Sequence, residues 1–468
     1  MFSKILVLGL MISTAHASYE EAVRTYGTGS IALSGHRRTV IELVKGGYYF
    51  SAVPWMKDYL VKSGANLDGD LEDAMDSMLA VTGVKIFESL PESVLQRSRS
   101  ANIRYILAKR LFKKGKFQEA LNEVKSVRDN HPAYPFVSNL MGVIESEMGN
   151  AKKAEEHFRD CIRSSKKMAS DSDLAGQKNQ YLTNRDYCVA GVARSEYVEK
   201  KYTQAELSYL DIPKDSFVWP EILFEEAWTS YHLKNYNRTL GKLISYKAPV
   251  FDFVFKPETE VLKAMTYMKM CLYEDAKKTT DDFYNNYLEA SKELRSSLLS
   301  MGKNYRSYYN LMADMDANEG RRSQIIEQSL RSIKKDPAFI EMKGSLTAAV
   351  SEYNKLRKQN QSSLKANLLK NMQTVLDEYR SIIGSYVRAG MVSKYSELYT
   401  AFQGMSYIKL EVLAQRKDRL YQTEDVGSKK RGDVKYIQRN DKQYFWTFNG
   451  EFWADELGDY VFALRSEC

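Results

Sequence analysis

RYILAKRLFKKGKFQEALNEVKSVRDNHPAYPFVSNLMGVIESEMGNAKKAEEHFRDC, residues 104–161, decides the fold. Within it Ala108, Gly115, Phe117, Ala120, Val124 and Val127 are matched 34 positions on by Gly142, Gly149, Ala151, Ala154, Phe158 and Cys161. Small residues recur at two fixed offsets with bulky ones between them, Leu111 among these. Two antiparallel helices per unit need a small side chain where their backbones come closest, Ala108 against Ala120 and Gly142 against Ala154. Gly115 and Gly149 supply the positive φ that ends each first helix. Pro132 bars the second helix from running into the next unit. The period predicts a row of helical hairpins, each too small to bury its own apolar face and sheltered by its neighbours.

Outward from this stretch the pattern continues. Ala193, Tyr202, Ala205, Tyr209 and Ile212 fall in register, with Pro213 just beyond. A fourth unit runs from Pro220 through Ala227, Tyr236, Leu243 and Tyr246, with Thr239 in place of the usual small residue, a change expected to loosen that pair slightly. A fifth follows Pro257, with Ala264, Tyr267, Tyr273, Ala276 and Phe283. The pattern of 101–290 resembles the tetratricopeptide repeat (TPR), with units near 101–134, 135–168, 186–219, 220–253 and 257–290. The resemblance implies an all-α, TPR-type right-handed α–α superhelix. Upstream, Gly47, Tyr49, Ala52, Met56 and Tyr59 imitate one divergent unit over about 33–66, and 18–100 as a whole reads as degraded repeats, as terminal units tend to be.

Beyond Tyr287 the markers stop. Leu364, Leu368, Met372, Val375, Tyr379, Ile382 and Tyr386 advance by threes and fours, as do Val392, Tyr395, Tyr399 and Phe402, with Gly390 between them as an expected bend. Residues 291–421 therefore read as a long-helix bundle or coiled-coil-like hairpin. Residues 422–442 are polar and glycine-dotted, a flexible linker. Residues 443–468 hold Tyr444, Phe445, Trp446, Phe448, Phe452, Trp453, Tyr460 and Phe462, too many aromatic rings to leave in water, so this tail is expected to dock on the helices.

Residues 1–17 join a positive start, a short apolar run from Ile5 to Ile12, and Ala15-His16-Ala17, which reads as a Sec-type signal peptide cleaved after Ala17. The run is too short to remain as a membrane span. The formal charge of +8 becomes +7 without Lys4, the one charged residue of that segment. This mild basic bias suits an acidic partner or an anionic envelope surface and gives no support for nucleic acid. A periodic repeat array behind a signal peptide points to a periplasmic or secreted protein with no transmembrane segment after cleavage.

Four cysteines, Cys161, Cys188, Cys271 and Cys468, suit an oxidising compartment. In the repeat register Cys161 closes one unit and Cys188 opens the next, after a polar insertion from Ser164 to Asp186, so their helices are neighbours and a bridge is reasonable; two unpaired buried thiols are the alternative. Cys271, at an inter-helix bend, and Cys468 are then left as a second pair that pins the tail.

None of the five histidines lies three or four residues from another, so no metal or other cofactor is expected. Phosphate-cradling and nucleophile-elbow motifs are missing. Ser164-x-x-Lys167 and Ser332-x-x-Lys335 match a serine–lysine pattern, but its Lys-Thr-Gly companion is absent. No enzyme is supported. Recognition remains. The first helix of each TPR unit lines a concave side, which nominates Tyr105, Lys109, Phe112, Asn139, Val143, Arg194, Tyr197, Phe224, Trp228 and Tyr231 as protein-binding residues; for Trp228 and Phe224 simple packing against neighbouring helices is an equal alternative. The Lys/Asn set that clamps a C-terminal carboxylate in chaperone-docking repeats is not found at these positions.

A narrower resemblance is carried by Leu223-Phe224-Glu225-Glu226-Ala227-Trp228, Asn235-Tyr236, Phe255-Lys256-Pro257-Glu258 and Phe448-Asn449-Gly450-Glu451-Phe452-Trp453-Ala454-Asp455-Glu456-Leu457-Gly458 with the terminal Cys468. These are similar to segments of exported repeat proteins of predatory and gliding bacteria, some of which belong to envelope-spanning motility machinery. The resemblance implies a periplasmic scaffold or adaptor for other envelope proteins. A second reading is an adaptor to the cell wall (peptidoglycan) or outer-membrane surface through the basic residues of Lys429 to Lys442, and a third is a hydrolase of envelope polymers.

Overall fold

The computed structural model describes residues 18–27, 33–64, 68–173, 175–421, 437, 439–441 and 443–468. The expected signal peptide and nearly all of the expected linker, with its basic residues other than Arg439, lie outside the described residues.

All regular structure among the described residues is helical. In chain order the helices are α1 (18–27), α2 (Leu33–Lys45), α3 (Tyr49–Lys62), α4 (Gly69–Thr82), α5 (Glu92–Leu95), α6 (Ala101–Lys113), α7 (Phe117–Val124), α8 (Tyr134–Glu147), α9 (Ala151–Asp171) and α10 (Ala175–Val198). They continue with α11 (Tyr202–Leu210), α12 (Trp219–His232), α13 (Tyr236–Ile244), α14 (Glu258–Lys269), α15 (Tyr273–Met301), α16 (Tyr305–Ala313), α17 (Gln324–Lys335), α18 (Pro337–Arg357) and α19 (Ser363–Tyr421).

One bend recurs six times among the described residues. Gly47, Gly115, Gly149, Lys200, Lys234 and Cys271 each take a left-handed conformation, with φ between 57° and 79°. The residue after each lies near ψ 60°, from Tyr48 at ψ 65° and Lys116 at ψ 62° to Leu272 at ψ 65°. Its amide reaches back over the turn: Lys116 N–H to Leu111 O, Lys201 N–H to Glu196 O and Leu272 N–H to Tyr267 O all measure 2.9–3.0 Å. Orphan carbonyls of the first helix are thereby satisfied before the second begins. Ala108, Ala120, Ala154, Ala205 and Ala276 are fully buried. Thr239 is buried as well, its hydroxyl donating to Asn235 O at 3.1 Å, so the larger residue is absorbed by a bond within its own helix.

The chain forms two compact units. The first comprises residues up to 149 with 305–310 and 337–386, and the second comprises 150–304, 311–336 and 387–468. Residues 291–421 are thus shared between the units rather than forming one of their own. In the first unit a single apolar core joins α2, α3, α4 and α6 to α18 and the start of α19, through Phe50, Met56, Phe87, Leu107, Leu356 and Tyr379. Glu352 of α18 caps α3 from outside, accepting from Phe50 N–H at 3.0 Å, Ser51 N–H at 2.8 Å and Ser51 Oγ–H at 2.7 Å.

In the second unit the polar insertion after Ser164 is not a loop. It lengthens α9 to Asp171 and starts α10 at Ala175, the two packing side by side with Cys161 bonded to Cys188. Phe158 of α9 lies across Gly191 of α10, where a Cβ would stand 2.6 Å from its ring. The expected bend at Gly390 is also absent: α19 runs unbroken for 59 residues. Gly390 faces Ile333 and Gly404 faces Val261, where a Cβ would stand 2.8 and 3.0 Å from those side chains, so these glycines serve close packing rather than a break.

The tail docks by its second half. Phe462 N–H donates to Asn237 O at 3.0 Å, and Asn237 pairs with Leu464 through both amide groups at 3.1 Å. Gly458 N–H donates to Ser245 Oγ at 2.9 Å, Lys214 reaches Asp459 at 2.8 Å, and Cys468 is bonded to Cys271. Leu457 enters a core with Trp219 and Leu223. The first half does not follow. Tyr444, Trp446, Phe448 and Trp453 are 77, 69, 47 and 58 % exposed, contrary to the expectation that the rings would be covered. The backbone bonds and the bridge gather from Asp455 onward, while the hold before it includes the Arg238–Gln443 bond at 3.2 Å and the half-buried Phe452.

Candidate functional site

The last turn of α10 presents Arg194, Tyr197 and Val198 on one face, at the i, i+3 and i+4 spacing that brings helical side chains together. The neighbouring face of α12 carries Trp228 with Phe224 and Glu225, four and three residues before it. Tyr209 of α11 and Lys256, just before α14, close a cleft of about 470 Å³ between them.

Glu225 organises the polar wall. Arg194 grips it with a two-pronged contact, Nε to Oε2 at 2.9 Å and a terminal nitrogen to Oε1 at 2.6 Å. Tyr209 Oη–H donates to Oε2 at 2.8 Å. Burial, then the Glu225 charge, pushes the Tyr209 phenol well above its ordinary pKa, so it remains a donor. This fork fixes the Arg194 plane and leaves the carboxylate little freedom.

The apolar wall is a chain of rings. Trp228 meets Phe224 at 6.4 Å, Tyr231 at 5.5 Å and His232 at 6.0 Å, and Tyr197 meets Tyr202 at 5.3 Å and His232 at 5.5 Å. Lys256 Nζ stands 4.9 Å above the centre of Phe224, and Val198 is 71 % exposed at the rim. The cleft therefore offers a rigid aromatic floor, one lysine and an exposed aliphatic edge.

Four of the residues nominated from sequence, Arg194, Tyr197, Phe224 and Trp228, come together here. Phe224 lines the cleft but is itself buried, and Tyr231 is turned into the core with Leu243 and Leu262, outside the lining. Elsewhere, Tyr105, Lys109 and Phe112 share a face of α6, apart from this cleft. Tyr105 and Phe112 pack on the first unit's core, with Lys109 Nζ 5.4 Å over the Tyr105 ring and Phe112 5.7 Å from Phe117. Burial pushes the Tyr105 phenol up to about 12. Asn139 and Val143 are half-buried on α8. Sequence reasoning missed Glu225, Tyr209, Val198 and Lys256. The spacing of Glu225 between Phe224 and Trp228 was a usable signal, whereas Lys256 arrives through the loop between two units, which no periodicity addresses.

Among the described residues no group of three or more His, Cys, Asp or Glu side chains comes together as a metal site. No described helix is long and apolar enough to cross a membrane. The two disulfides fit an extracytoplasmic setting.

Helix hairpins with a common left-handed bend define an all-α repeat protein of the TPR type. No protein-family model matches the chain, and no curated protein does. Solved structures that resemble it include the apo form of RapI, 10 % identical with a TM-score of 0.34 over 78 % of this chain and 97 % of that one. The APC/C hetero-tetramer Cut9–Hcn1 is another, 12 % identical with a TM-score of 0.23 over 84 % of this chain and 88 % of that one. At these scores neither alignment adds to the class, which rests on the hairpins themselves.

Proposed function

We propose that this chain is a non-catalytic scaffold, exported to the periplasm, that holds other envelope proteins, with the cleft between α10 and α12 as one point of attachment. The convergence of Arg194, Tyr197, Phe224 and Trp228 on one open cleft carries the reading. Rigid aromatic side chains lose little entropy on binding, and the Arg194–Glu225 fork is already assembled before a partner arrives. A partner segment that brings an apolar side chain onto Trp228 and Val198, and a carboxylate that shares or displaces Glu258 (3.7 Å) at Lys256, matches the two walls. Membership of an envelope-spanning motility complex is proposed on the resemblance of residues 223–228, 255–258 and 448–458 alone.

A photoreactive residue in place of Val198, which lies at the rim outside the hydrogen-bond network, tests the reading in intact cells. The expected result is a discrete crosslinked envelope protein that is lost when Tyr197→Ala and Trp228→Ala are added. A crosslink that survives both changes, or none at all, overturns this cleft as the attachment point.

A further inference from the structure

A second concavity lies at the tail. It measures about 630 Å³, within the range of sites that hold small ligands, and is lined by the aromatic residues Tyr444, Trp446, Phe448 and Trp453 with the polar groups of Arg238, Glu451 and Glu456.

Its floor is built. Phe448 and Tyr460, which line it, meet at 5.5 Å, both meet Phe452 behind them at 5.2 and 5.6 Å, and the Trp453 backbone N–H donates to Tyr460 Oη at 3.4 Å. Tyr460 is in turn held against Gly241 of α13, and Arg238 of the same helix is steadied by Gln443 Oε1 at 3.2 Å. The rings above this floor stand in water, Trp446 at 69 % and Trp453 at 58 % exposure, so burial during folding does not account for them.

The lining selects among ligand classes. A wholly apolar guest would strip water from Arg238, Glu451 and Glu456 and return no hydrogen bonds. An anion meets Glu451 and Glu456; a cation is drawn to those carboxylates and to the ring faces but offers no acceptor to Arg238, and Asp459 is already paired with Lys214. A sugar satisfies every group. The C–H faces of a pyranose ring lie flat on indole or phenol, and its hydroxyls both donate to carboxylates and accept from a guanidinium. We propose that this cleft binds a neutral oligosaccharide, stacked on Trp446 and Trp453 and oriented by Arg238, Glu451 and Glu456.

Titration of the full-length oxidised protein with a β-1,4-linked N-acetylglucosamine tetramer and a β-1,4-linked glucose tetramer, followed by calorimetry, tests this. At least one tetramer is expected to bind, Trp446→Ala and Trp453→Ala each to weaken it about tenfold or more, and Trp453→Tyr to retain most of the affinity. Unfolding midpoints of these variants are expected to match the parent, because the rings are exposed. The proposal is overturned if neither tetramer binds at millimolar concentration, if binding persists in the doubly substituted Trp446→Ala/Trp453→Ala protein, or if an oligolysine peptide occupies the cleft in preference to both sugars.

Discussion

Gly241 of α13 and Tyr460 of the tail meet backbone to backbone: a Cβ on Gly241 would stand 1.6 Å from the Tyr460 carbonyl oxygen. No rotamer change can relieve such an overlap, since neither partner is a side chain. Gly241→Ala is therefore expected to lift the tail from α13, at a cost of about 1–3 kcal/mol. Limited proteolysis reads this directly, with new cleavage among residues 443–465 while Cys468 still tethers the end. An unchanged digestion pattern would show that the tail is held elsewhere.

Cys271 and Cys468 close a loop of 197 residues and Cys161 with Cys188 one of 27, but only Cys468 stands exposed, Cys161 and Cys188 being wholly buried. Access should order their reduction. Under native conditions a mild reductant is expected to free two thiols, those of Cys271 and Cys468, and denaturant to expose the other two. Cys468→Ser should cost about 2–5 kcal/mol in the denaturation midpoint, the usual range for a natural bridge. Simultaneous appearance of all four thiols would contradict the ordering.

The Glu352 carboxylate accepts three hydrogen bonds at the start of α3 yet is 7 % exposed, and burial outweighs those bonds, so its pKa lies above the ordinary glutamate value. The folded state then holds the proton more tightly than the unfolded one. Stability from this group is full below the unfolded pKa and declines as pH rises through the folded pKa. Glu352→Gln is expected to flatten that slope in urea titrations across the weakly acidic range. Glu352→Ala, which leaves Phe50 N–H and Ser51 N–H unpaired, should lose about 3 kcal/mol at neutral pH. A slope of the same size in Glu352→Gln would assign it to another group.

Two helical glycines make opposite forecasts. Nothing lies within 4 Å of a Cβ at Gly344 in α18, so Gly344→Ala should stabilise by about 0.5–1 kcal/mol through lower backbone entropy in the unfolded chain. At Gly384 in α19 a Cβ would stand 1.9 Å from the Tyr305 carbonyl oxygen, so Gly384→Ala should destabilise by about 1–3 kcal/mol despite its higher helix propensity. Thermal unfolding of the two variants, shifted in opposite directions, checks the packing of α16 on α19.

The hairpins were legible because their signal is local. Ala108, Gly115 and Ala120 announce a bend between two close helices within a dozen residues, and the same logic finds the bends at Gly149 and Gly47. Lys200 and Lys234 carry no glycine mark, yet they adopt the same left-handed turn because the helices on either side demand it. The site was half legible for the same reason: Arg194, Tyr197, Phe224 and Trp228 follow from helical register, whereas Lys256 depends on how a loop returns.

By itself, the order of residues determined the class of protein, since a 34-residue period of small and bulky side chains admits few structures besides stacked helix pairs. Only the tertiary structure decided that the glycines of α19 are contact points, and that the tail is held by its backbone while Tyr444, Trp446, Phe448 and Trp453 stay in water. Those outcomes depend on what a distant segment places against each residue, such as Ile333 against Gly390 or Asn237 against Leu464, and separation along the chain carries no record of such meetings.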